Sequence, residues 1–204
     1  MARRSDHSRE ELKALVLSVA WGLIEEEGVG SVTARRVAKE VGYAPGTIYN
    51  LFESMDDLYL QINAQTLDSL SEVLNAPACH NAKKTPVENI KEMAVHYSEF
   101  SKSHRAHWLM LFTHTLSDGD SAPSWYIDKV EELFNPLELL LSPFYNENQK
   151  VEHKLAVRGL WASVHGVCFL AETGRDSIVL NQEKISDVMT YLIDTFMAGV
   201  SVKS

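Results

Sequence analysis

The segment Thr33–Phe52, TARRVAKEVGYAPGTIYNLF, decides how the first part of this chain folds. Apolar residues recur at helical intervals on either side of Gly42: Val37, Ala38 and Val41 before it, and Ile48, Leu51 and Phe52 after it. This spacing predicts two short helices that each bury one side. Glycine permits the sharp turn that joins two crossed helices. The segment therefore predicts a helix-turn-helix of the kind that enters the major groove of DNA.

The side chains outside the predicted buried side suit contact with a duplex. In the second helix they are Tyr43, Ala44, Pro45, Thr47, Tyr49 and Asn50. Asn50 is the best candidate for reading a base, because an amide can bond an adenine edge in two places at once. Arg35, Arg36 and Lys39 in the first helix point toward solvent or phosphate.

Gly42–Phe52 resembles the turn and recognition helix of TetR-type regulators, whose usual pattern is Gly, two variable residues, Lys, Gly, Thr, an aliphatic residue, Tyr, two variable residues and Phe. Pro45 and Met55 stand where that family commonly has lysines, so the phosphate contacts of those lysines are not carried over. The resemblance implies an all-α fold, with a three-helix helix-turn-helix DNA-binding head joined to a larger helical body for ligand binding and dimerisation. The predicted domains are residues 1–53 and 54–204.

Position by position, the resemblance also implies roles in the interface with double-stranded DNA. Phosphate contacts fall to Thr33, Tyr43, Thr47 and Tyr49, base-edge or methyl contacts to Arg35, Pro45 and Asn50, and Ala44 and Gly46 belong to the same surface. The alternative is a small helical subdomain whose exposed polar residues are merely solvated.

The net charge of the chain argues against general binding to nucleic acids. Its 204 residues carry a formal net charge of -9. Two segments are locally basic: residues 1–9 have Arg3, Arg4 and Arg9 against Asp6, and residues 31–52 have Arg35, Arg36 and Lys39 against Glu40. Few cations release few counterions from DNA, so this contribution to binding affinity is small. We therefore expect weak non-specific DNA binding, and we expect that two heads must bind DNA together.

The sequence predicts a soluble cytoplasmic protein. Cys79 and Cys168 lie far apart without the CxxC spacing of a metal or redox site. No apolar run approaches the roughly 20 residues of a transmembrane helix, and the Arg-rich start has no apolar signal core. We therefore expect no contact with a membrane.

Helical patterns continue along the rest of the chain. The predicted helices are one capped by Ser8 and ending near Gly28, a long one from Asp56 to Ala76, one capped by Thr85 that reaches Ser103, a short one around Trp108, one bent around Pro136 between Pro123 and Pro143, and two long ones over Gln149–Thr173 and Glu183–Val200. Loops are predicted at Ser117–Asp120 and between Thr173 and Glu183. No strand-like alternation stands out, which supports the all-α class.

The body contains many aromatic and imidazole groups, which favours an internal pocket for a small hydrophobic or aromatic effector. The predicted ligand-binding residues are Tyr97, Phe100, His104, Trp108, Phe112, Trp125, Tyr126 and His165. Taken singly, each is also explained by an ordinary core or a surface histidine.

Trp161–Gly166, WASVHG, resembles a motif of one group of TetR-type C-terminal domains in which Trp, His and Gly occur in this order. His165 there either aims a polar group into the body or is a hydrogen-bonded core histidine. The resemblance implies a four-helix dimer interface, for which the apolar stripes of the last two helices offer Leu160, Val164, Val167, Leu192 and Phe196.

These observations predict a ligand-responsive repressor that binds a palindromic operator as a homodimer. A metal-responsive regulator is one alternative, since His104 and His107 lie one turn apart, but no ligand set is complete locally. No catalytic motif is present, so neither an enzyme nor a cofactor is expected. A helical adaptor without specific DNA binding is the other alternative, and it predicts no salt-dependent binding to a duplex.

Overall fold

A computed structural model describes residues 7–117, 121–180 and 183–201. Its α-helices are α1 Arg9–Glu27, α2 Ala34–Val41, α3 Pro45–Leu51, α4 Met55–Leu74, α5 Pro86–Ser103, α6 Arg105–Thr113, α7 Ser124–Glu132, α8 Asn135–Leu141, α9 Lys150–Glu172, α10 Asp176–Val179 and α11 Ile185–Ser201. Short 3-10 turns follow α1, α4 and α8. Within the described ranges no residue is in a strand, which confirms the all-α prediction. Arg3, Arg4 and residues 118–120 of the predicted loop lie outside these ranges.

The predicted helix starts are confirmed by their capping hydrogen bonds. The Ser8 hydroxyl accepts from the Glu11 amide at 3.2 Å, and the Glu11 carboxylate accepts from the Ser8 amide at 2.7 Å. Thr85 and Glu88 repeat this reciprocal pair at 3.2 and 2.7 Å at the start of α5. Each pair satisfies amide groups that the first turn of a helix leaves without an intrahelical partner.

The predicted bent helix around Pro136 is wrong, because the chain forms two helices there. α7 ends at Glu132, and α8 begins at Asn135 with Pro136 in its first turn. Proline has no N–H to continue the hydrogen bonds of α7, whereas the first turn of a new helix needs none. The loop predicted between Thr173 and Glu183 also contains the short helix α10.

The contacts divide the chain into two compact units. The head unit comprises the described residues of Met1–Thr66 and Ala106–Tyr126, and the body unit those of Leu67–Arg105 and Ile127–Ser204. The two units meet within α4, and most of α6 belongs to the head unit. This division differs from the predicted domain boundary between residues 53 and 54, and that boundary stays a prediction.

The core of the head unit lies between α1, α2, α3 and the first half of α4. Its fully or nearly fully buried members are Val16, Ala20 and Ile24 of α1, Val37 and Ala38 of α2, Ile48 of α3, Phe52, and Leu58 and Ile62 of α4, with Met110 of α6 packed against them. The apolar residues predicted to be buried in α2 and α3 thus form one cluster, with Val41 half-buried at its edge.

In the body unit, α9 and α11 pack against each other and against α5, and α8 packs against α5 and α9. The core includes Leu70, Ile90, Leu141, Val157, Leu160, Met189, Ile193 and Met197. The two long C-terminal helices therefore pair, as their apolar stripes predicted.

Candidate nucleic-acid interface and body cavity

Gly42, in the left-handed helical conformation, ends α2 in the helix pair α2–α3, which is predicted to bind DNA and is called the reader below. Gly42 has φ 77° and ψ 27°, a conformation that residues with a Cβ rarely adopt. The Tyr43 amide donates to the Ala38 carbonyl at 2.9 Å, and the Gly42 amide donates to the Lys39 carbonyl at 3.3 Å. These bonds close the end of α2 and let α3 start three residues later at Pro45.

The structure brings the nine predicted DNA-binding residues together on this helical pair. Thr33, Arg35, Ala44, Pro45, Gly46, Tyr49 and Asn50 are exposed, and Tyr43 and Thr47 are half-buried. On the opposite side of α3, Ile48 and Leu51 lie in the core. α3 thus has an apolar underside that fixes its orientation and a polar surface that is open to a partner.

Two of these residues already have a structural role. The Thr33 hydroxyl accepts from the Arg36 amide at 3.1 Å and caps α2. Its O–H group, together with the other amides of that helix end, suits a phosphate oxygen. The Tyr43 hydroxyl lies 3.0 Å from Nδ1 of His7, so a phosphate contact by Tyr43 competes with this bond.

The charge on the reader is smaller than the sequence suggests, because Arg36 is held by acidic neighbours. Its guanidinium lies 2.8 Å from Glu27 and 3.0 Å from Glu40. The Glu40 contact has the i, i+4 spacing that sequence alone signals, whereas the Glu27 contact depends on how α1 and α2 pack. Arg35 and Lys39 are exposed, and no ion pair holds either of them in the described part of the chain. Within α2 and α3, these two residues are therefore the cations that have no acidic partner.

Side chains of α4 hold the segment that enters α2. The Tyr59 hydroxyl donates to the Val32 carbonyl at 2.6 Å, one residue before the Thr33 cap. This contact joins residues 27 positions apart, so the helical periodicity of the sequence could not predict it.

The first turn of α4 is anchored to the segment after α6. The Asp56 carboxylate accepts from the Ser117 hydroxyl at 2.5 Å and from its amide at 3.2 Å, and His114 Nε2 lies 3.3 Å away. The Ser117 hydroxyl is the main reason that the pKa of Asp56 is lower than usual. The charged carboxylate is therefore the form that this arrangement stabilises.

The body unit contains a small apolar cavity of about 40 Å³ between α4, α5, α8 and α9. It is lined by Leu74, Ile90, Met93, Ala94, Tyr97, Leu133, Phe134, Leu137, Leu160, Trp161 and Val164. No charged side chain is among these lining residues. Aliphatic side chains supply most of its wall, and a ligand-binding residue is harder to recognise in sequence when it is an ordinary core leucine.

Two residues of the lining carry a polar side-chain group: Trp161 has an indole N–H, and Tyr97 has a hydroxyl that lies 2.9 Å from Nδ1 of His165. The His165 ring stacks on Trp161 with 4.9 Å between ring centroids and 13° between planes. Burial lowers the pKa of His165 below its ordinary value, because a charged imidazolium loses solvation among these rings. The neutral imidazole is therefore the form that this environment favours.

The eight predicted ligand-binding residues are divided equally between the two units. Tyr97 lines the cavity and His165 bonds to it, while Phe100 and His104 stack on each other at 4.4 Å in the body unit. The other four lie in the head unit, where Trp108 contacts Phe112 and Trp125 contacts Tyr126, both edge to face. As ligand contacts, all eight stay predictions.

The predicted dimer residues occupy two kinds of position. Leu160, Val164 and Val167 are buried on the inner side of α9, whereas Leu192 and Phe196 of α11 are half-buried. A Cβ placed on Gly159 would lie 3.8 Å from the Phe196 ring, so the surface of α9 near Gly159 adjoins this part of α11. Leu155, one turn before Gly159, is 66% exposed.

Within the described ranges, no three His, Cys, Asp or Glu side chains are grouped to hold a metal ion. Nor is any helix among those residues both long and apolar enough to span a membrane.

An exposed polar surface on a short helix, with an apolar underside fixed by two other helices, defines a helix-turn-helix DNA-binding protein. The family described as bacterial regulatory proteins, tetR family, matches residues 16–62, and the family described as tetracyclin repressor-like, C-terminal domain, matches residues 90–196. The chain belongs to the TetR family of transcriptional regulators. The finer resemblance of the body to the Trp-His-Gly type stays a prediction.

Individual relatives agree with this assignment. An uncharacterised HTH-type transcriptional regulator of Mycobacterium tuberculosis is 22% identical over 200 residues, which are 98% of this chain and 84% of the relative. FadR of Thermus thermophilus, a TetR family repressor solved with lauroyl-CoA, has a TM-score of 0.63 and 16% identity over 92% of each chain. BioQ, solved with its double-stranded DNA operator, has a TM-score of 0.62 and 15% identity over 93% of this chain and 98% of BioQ. At such identities the two structures establish the fold.

Proposed function

We propose that this protein is a cytoplasmic, ligand-responsive repressor that binds a palindromic operator as a homodimer and is released by a small hydrophobic or aromatic effector. It acts by binding and catalyses no reaction. The observation that carries this proposal is the exposed surface of α3 above its buried underside. BioQ supports the operator as partner, because a protein of the same fold was solved with one.

Base reading is assigned to Asn50 and its exposed neighbours on α3. Asn50 is exposed, so its side-chain amide is accessible to a base. The Arg9 guanidinium donates to the backbone carbonyl of the same residue at 3.3 Å. An adenine edge offers the donor and the acceptor that an amide matches. One good pair of this kind discriminates between bases by roughly 1–3 kcal/mol.

Two copies of the chain pair through the outer surfaces of α9 and α11. Leu155 is exposed, Leu192 and Phe196 are half-buried, and the Gly159 contact places these two helices side by side there. Covering such an apolar surface with its symmetry copy gives a four-helix interface. A dimer also supplies the second reader that a palindrome requires.

The effector acts through the cavity of the body unit. Leu74 at the end of α4 lines that cavity, and Tyr59 near the beginning of the same helix holds Val32. An effector that changes the position of α4 therefore changes the segment that enters the reader. FadR supports an apolar effector, since that protein was solved with lauroyl-CoA.

The test is fluorescence anisotropy with the DNA upstream of the gene and with a scrambled duplex of equal length, over a salt series. We expect selective binding that weakens as salt rises. Asn50→Ala is expected to weaken binding to the intact operator by roughly five- to 150-fold for each of the two heads, and to lose preference at one base pair in each half-site. Asn148→Ala, the same change at an exposed position of the body unit, leaves affinity unchanged. Equal and weak binding to both duplexes would favour the helical adaptor instead.

Dimer formation is tested by light scattering coupled to size-exclusion chromatography. Leu155→Lys is expected to give folded monomers with weak operator affinity, because Leu155 is exposed in the single chain. Phe196→Glu should give the same result at a half-buried position. Leu160→Glu is the contrasting variant, since a charge at this buried position unfolds the body unit. A stable dimer of Leu155→Lys would contradict the proposed surface.

A further inference from the structure

We propose that His7 is a positioning residue of the DNA interface, which acts through the Tyr43 hydroxyl and takes up a proton when the operator binds. Operator affinity therefore rises as the pH falls through the range in which histidine side chains titrate. The inference rests on the proposed function in taking the reader as the surface that binds DNA. It adds a residue that lies outside the reader and makes operator binding depend on pH.

The start of α1 lies beside the reader and contacts it twice. Nδ1 of His7 is 3.0 Å from the Tyr43 hydroxyl. Two residues further on, the Arg9 guanidinium donates to the Asn50 carbonyl at 3.3 Å. The backbone at His7 is fixed by the next residue, because the Ser8 hydroxyl caps α1. The Tyr43 ring packs against the core of the head unit, so the hydrogen bond joins two anchored segments.

The contact between the two side chains is polar and is open to solvent. His7 is exposed and Tyr43 is half-buried. Their ring centroids are 6.3 Å apart and their planes are tilted by 56°, so the rings do not stack. The ring nitrogen and the phenol oxygen therefore make the contact, and the phenol oxygen is the atom that a phosphate would approach.

The direction of this hydrogen bond depends on whether Nδ1 carries a proton. An Nδ1 without a proton accepts from the Tyr43 O–H, and no proton is then left for a phosphate. An Nδ1–H donates to the phenol oxygen instead, so the tyrosine O–H can donate to a phosphate oxygen. An imidazolium carries a proton on both nitrogens and is always in this second arrangement. Protonation of His7 thus removes the competition between the phosphate and the ring for the tyrosine proton.

The charge of the phosphate then favours the imidazolium over the neutral ring, because a nearby anion stabilises the charged form. In the described part of the chain, Tyr43 and Glu11 are the titratable groups that interact with His7. Hydrogen bonds from Ser8 are the main reason that the pKa of Glu11 is lower than usual, and attraction to the His7 ring adds to this lowering. Glu11 attracts an imidazolium with or without DNA, so the difference between the two states comes from the phosphate.

The sign and size of the effect follow from linkage. If operator binding favours protonation of His7, protonation must favour operator binding by the same factor. Affinity therefore increases as the pH falls. An exposed ion pair changes an equilibrium by roughly two- to fivefold, so a homodimer with two heads gains about four- to 25-fold. Each added cation also steepens the salt dependence of binding by up to about 0.9.

The experiment measures fluorescence anisotropy of the full-length protein with the upstream duplex, in steps from about pH 8 to about pH 5.5 at constant ionic strength. Wild type should bind about four- to 25-fold more tightly at the acid end. Titration calorimetry in two buffers of different ionisation enthalpy should show that the complex takes up protons. Circular dichroism at each pH establishes that the protein stays folded.

Four variants identify the titrating group and the atom through which it acts. His7→Asn keeps an N–H near the position of Nδ1 but cannot be charged, so its affinity should change by less than about twofold over the pH range. His7→Lys is charged throughout and should bind about as tightly at the alkaline end as at the acid end. Tyr43→Phe should bind more weakly and lose most of the gain in acid. His153→Gln, which alters a histidine of the body unit, should keep the wild-type pH profile.

Selective wild-type binding that does not change with pH would overturn the inference and leave the repressor proposal standing. A wild-type pH profile in His7→Asn would also overturn it, because the titrating group would then be another histidine, such as His114. Full pH dependence in Tyr43→Phe would show that His7 does not act through the tyrosine hydroxyl. Absence of selective binding at every pH would contradict the repressor proposal and this inference together.

Discussion

Two glycines of the head unit are predicted to differ sharply in their tolerance of alanine. Gly28 ends α1 with φ 85° and ψ 168°, and Gly42 ends α2 with φ 77° and ψ 27°. A Cβ built on either residue meets no atom within 4 Å, so steric contact with neighbours does not distinguish them. Any difference between the two variants must come from the backbone conformation itself.

The expected magnitudes follow from the two conformations. Gly42 is in the left-handed helical region, where an L-residue costs about 1–2 kcal/mol. Gly28 combines positive φ with an extended ψ, a region that is essentially restricted to glycine, and we expect Gly28→Ala to cost about 3 kcal/mol. For a chain of this length these values correspond to decreases in Tm of roughly 2–8 °C and 6–12 °C.

Asparagine separates the two cases further. It tolerates the left-handed helical region, so Gly42→Asn should recover part of the stability lost in Gly42→Ala. Gly28→Asn should recover little of the loss in Gly28→Ala. Thermal denaturation followed by circular dichroism measures all four variants. Equal losses for the two alanine variants, or recovery by asparagine at Gly28, would refute the assignment of the cost to backbone conformation.

Three further outcomes are expected. Tyr59→Phe removes the bond to Val32 and should destabilise the head unit by about 1–3 kcal/mol in urea denaturation, since the carbonyl loses a partner. Asp56→Asn should be less stable than wild type at pH 7. The pKa of Asp56 in the folded protein lies below its unfolded value of about 3.9. The carboxylate therefore contributes fully to the free energy of unfolding above about pH 3.9, and this contribution is lost as the pH falls through the folded-state pKa. The stabilities of Asp56→Asn and wild type should therefore converge in acid. Arg35→Ala should reduce the salt slope of operator binding by about 0.9 for each head, whereas Arg36→Ala, whose guanidinium is already ion-paired, should change it little.

The helix-turn-helix and the starts of two capped helices were predictable from local sequence, for physical reasons. The caps at Ser8 and Thr85 involve residues three positions apart, and the underside of α3 follows from the helical spacing of Ile48 and Leu51. Such interactions are set within one or two turns. At Pro136 the sequence indicated a disturbance, but whether the helix bends or ends depends on how the following segment packs.

The cavity was less predictable because its wall joins residues distant in sequence. Tyr97 and His165, 68 positions apart, were both among the expected ligand residues, yet most of the wall is aliphatic. Aromatic content marked Trp108 and Trp125 equally strongly, and both lie in the head unit. Composition therefore identifies residues that suit a pocket, whereas only the packing of α5, α8 and α9 determines which of them line it.

The small charge of each reader bears on how release can occur. Arg9, Arg35 and Lys39 are exposed cations among the described residues of the head unit, and so few cations predict weak binding by a single head. In the proposed function, high affinity therefore requires both heads of a homodimer to bind one operator. When the spacing of the heads matches the operator, the second head binds at a high effective concentration, which strengthens binding by roughly 10²- to 10⁴-fold. In the proposed mechanism, an effector that alters this spacing removes that gain without breaking any contact between one head and DNA. A coupling of about 1–3 kcal/mol, or five- to 150-fold in affinity, lies within the range that partial loss of this gain supplies. If the protein acts as proposed, weak binding by each head is what makes a modest change in the body unit sufficient to release the operator.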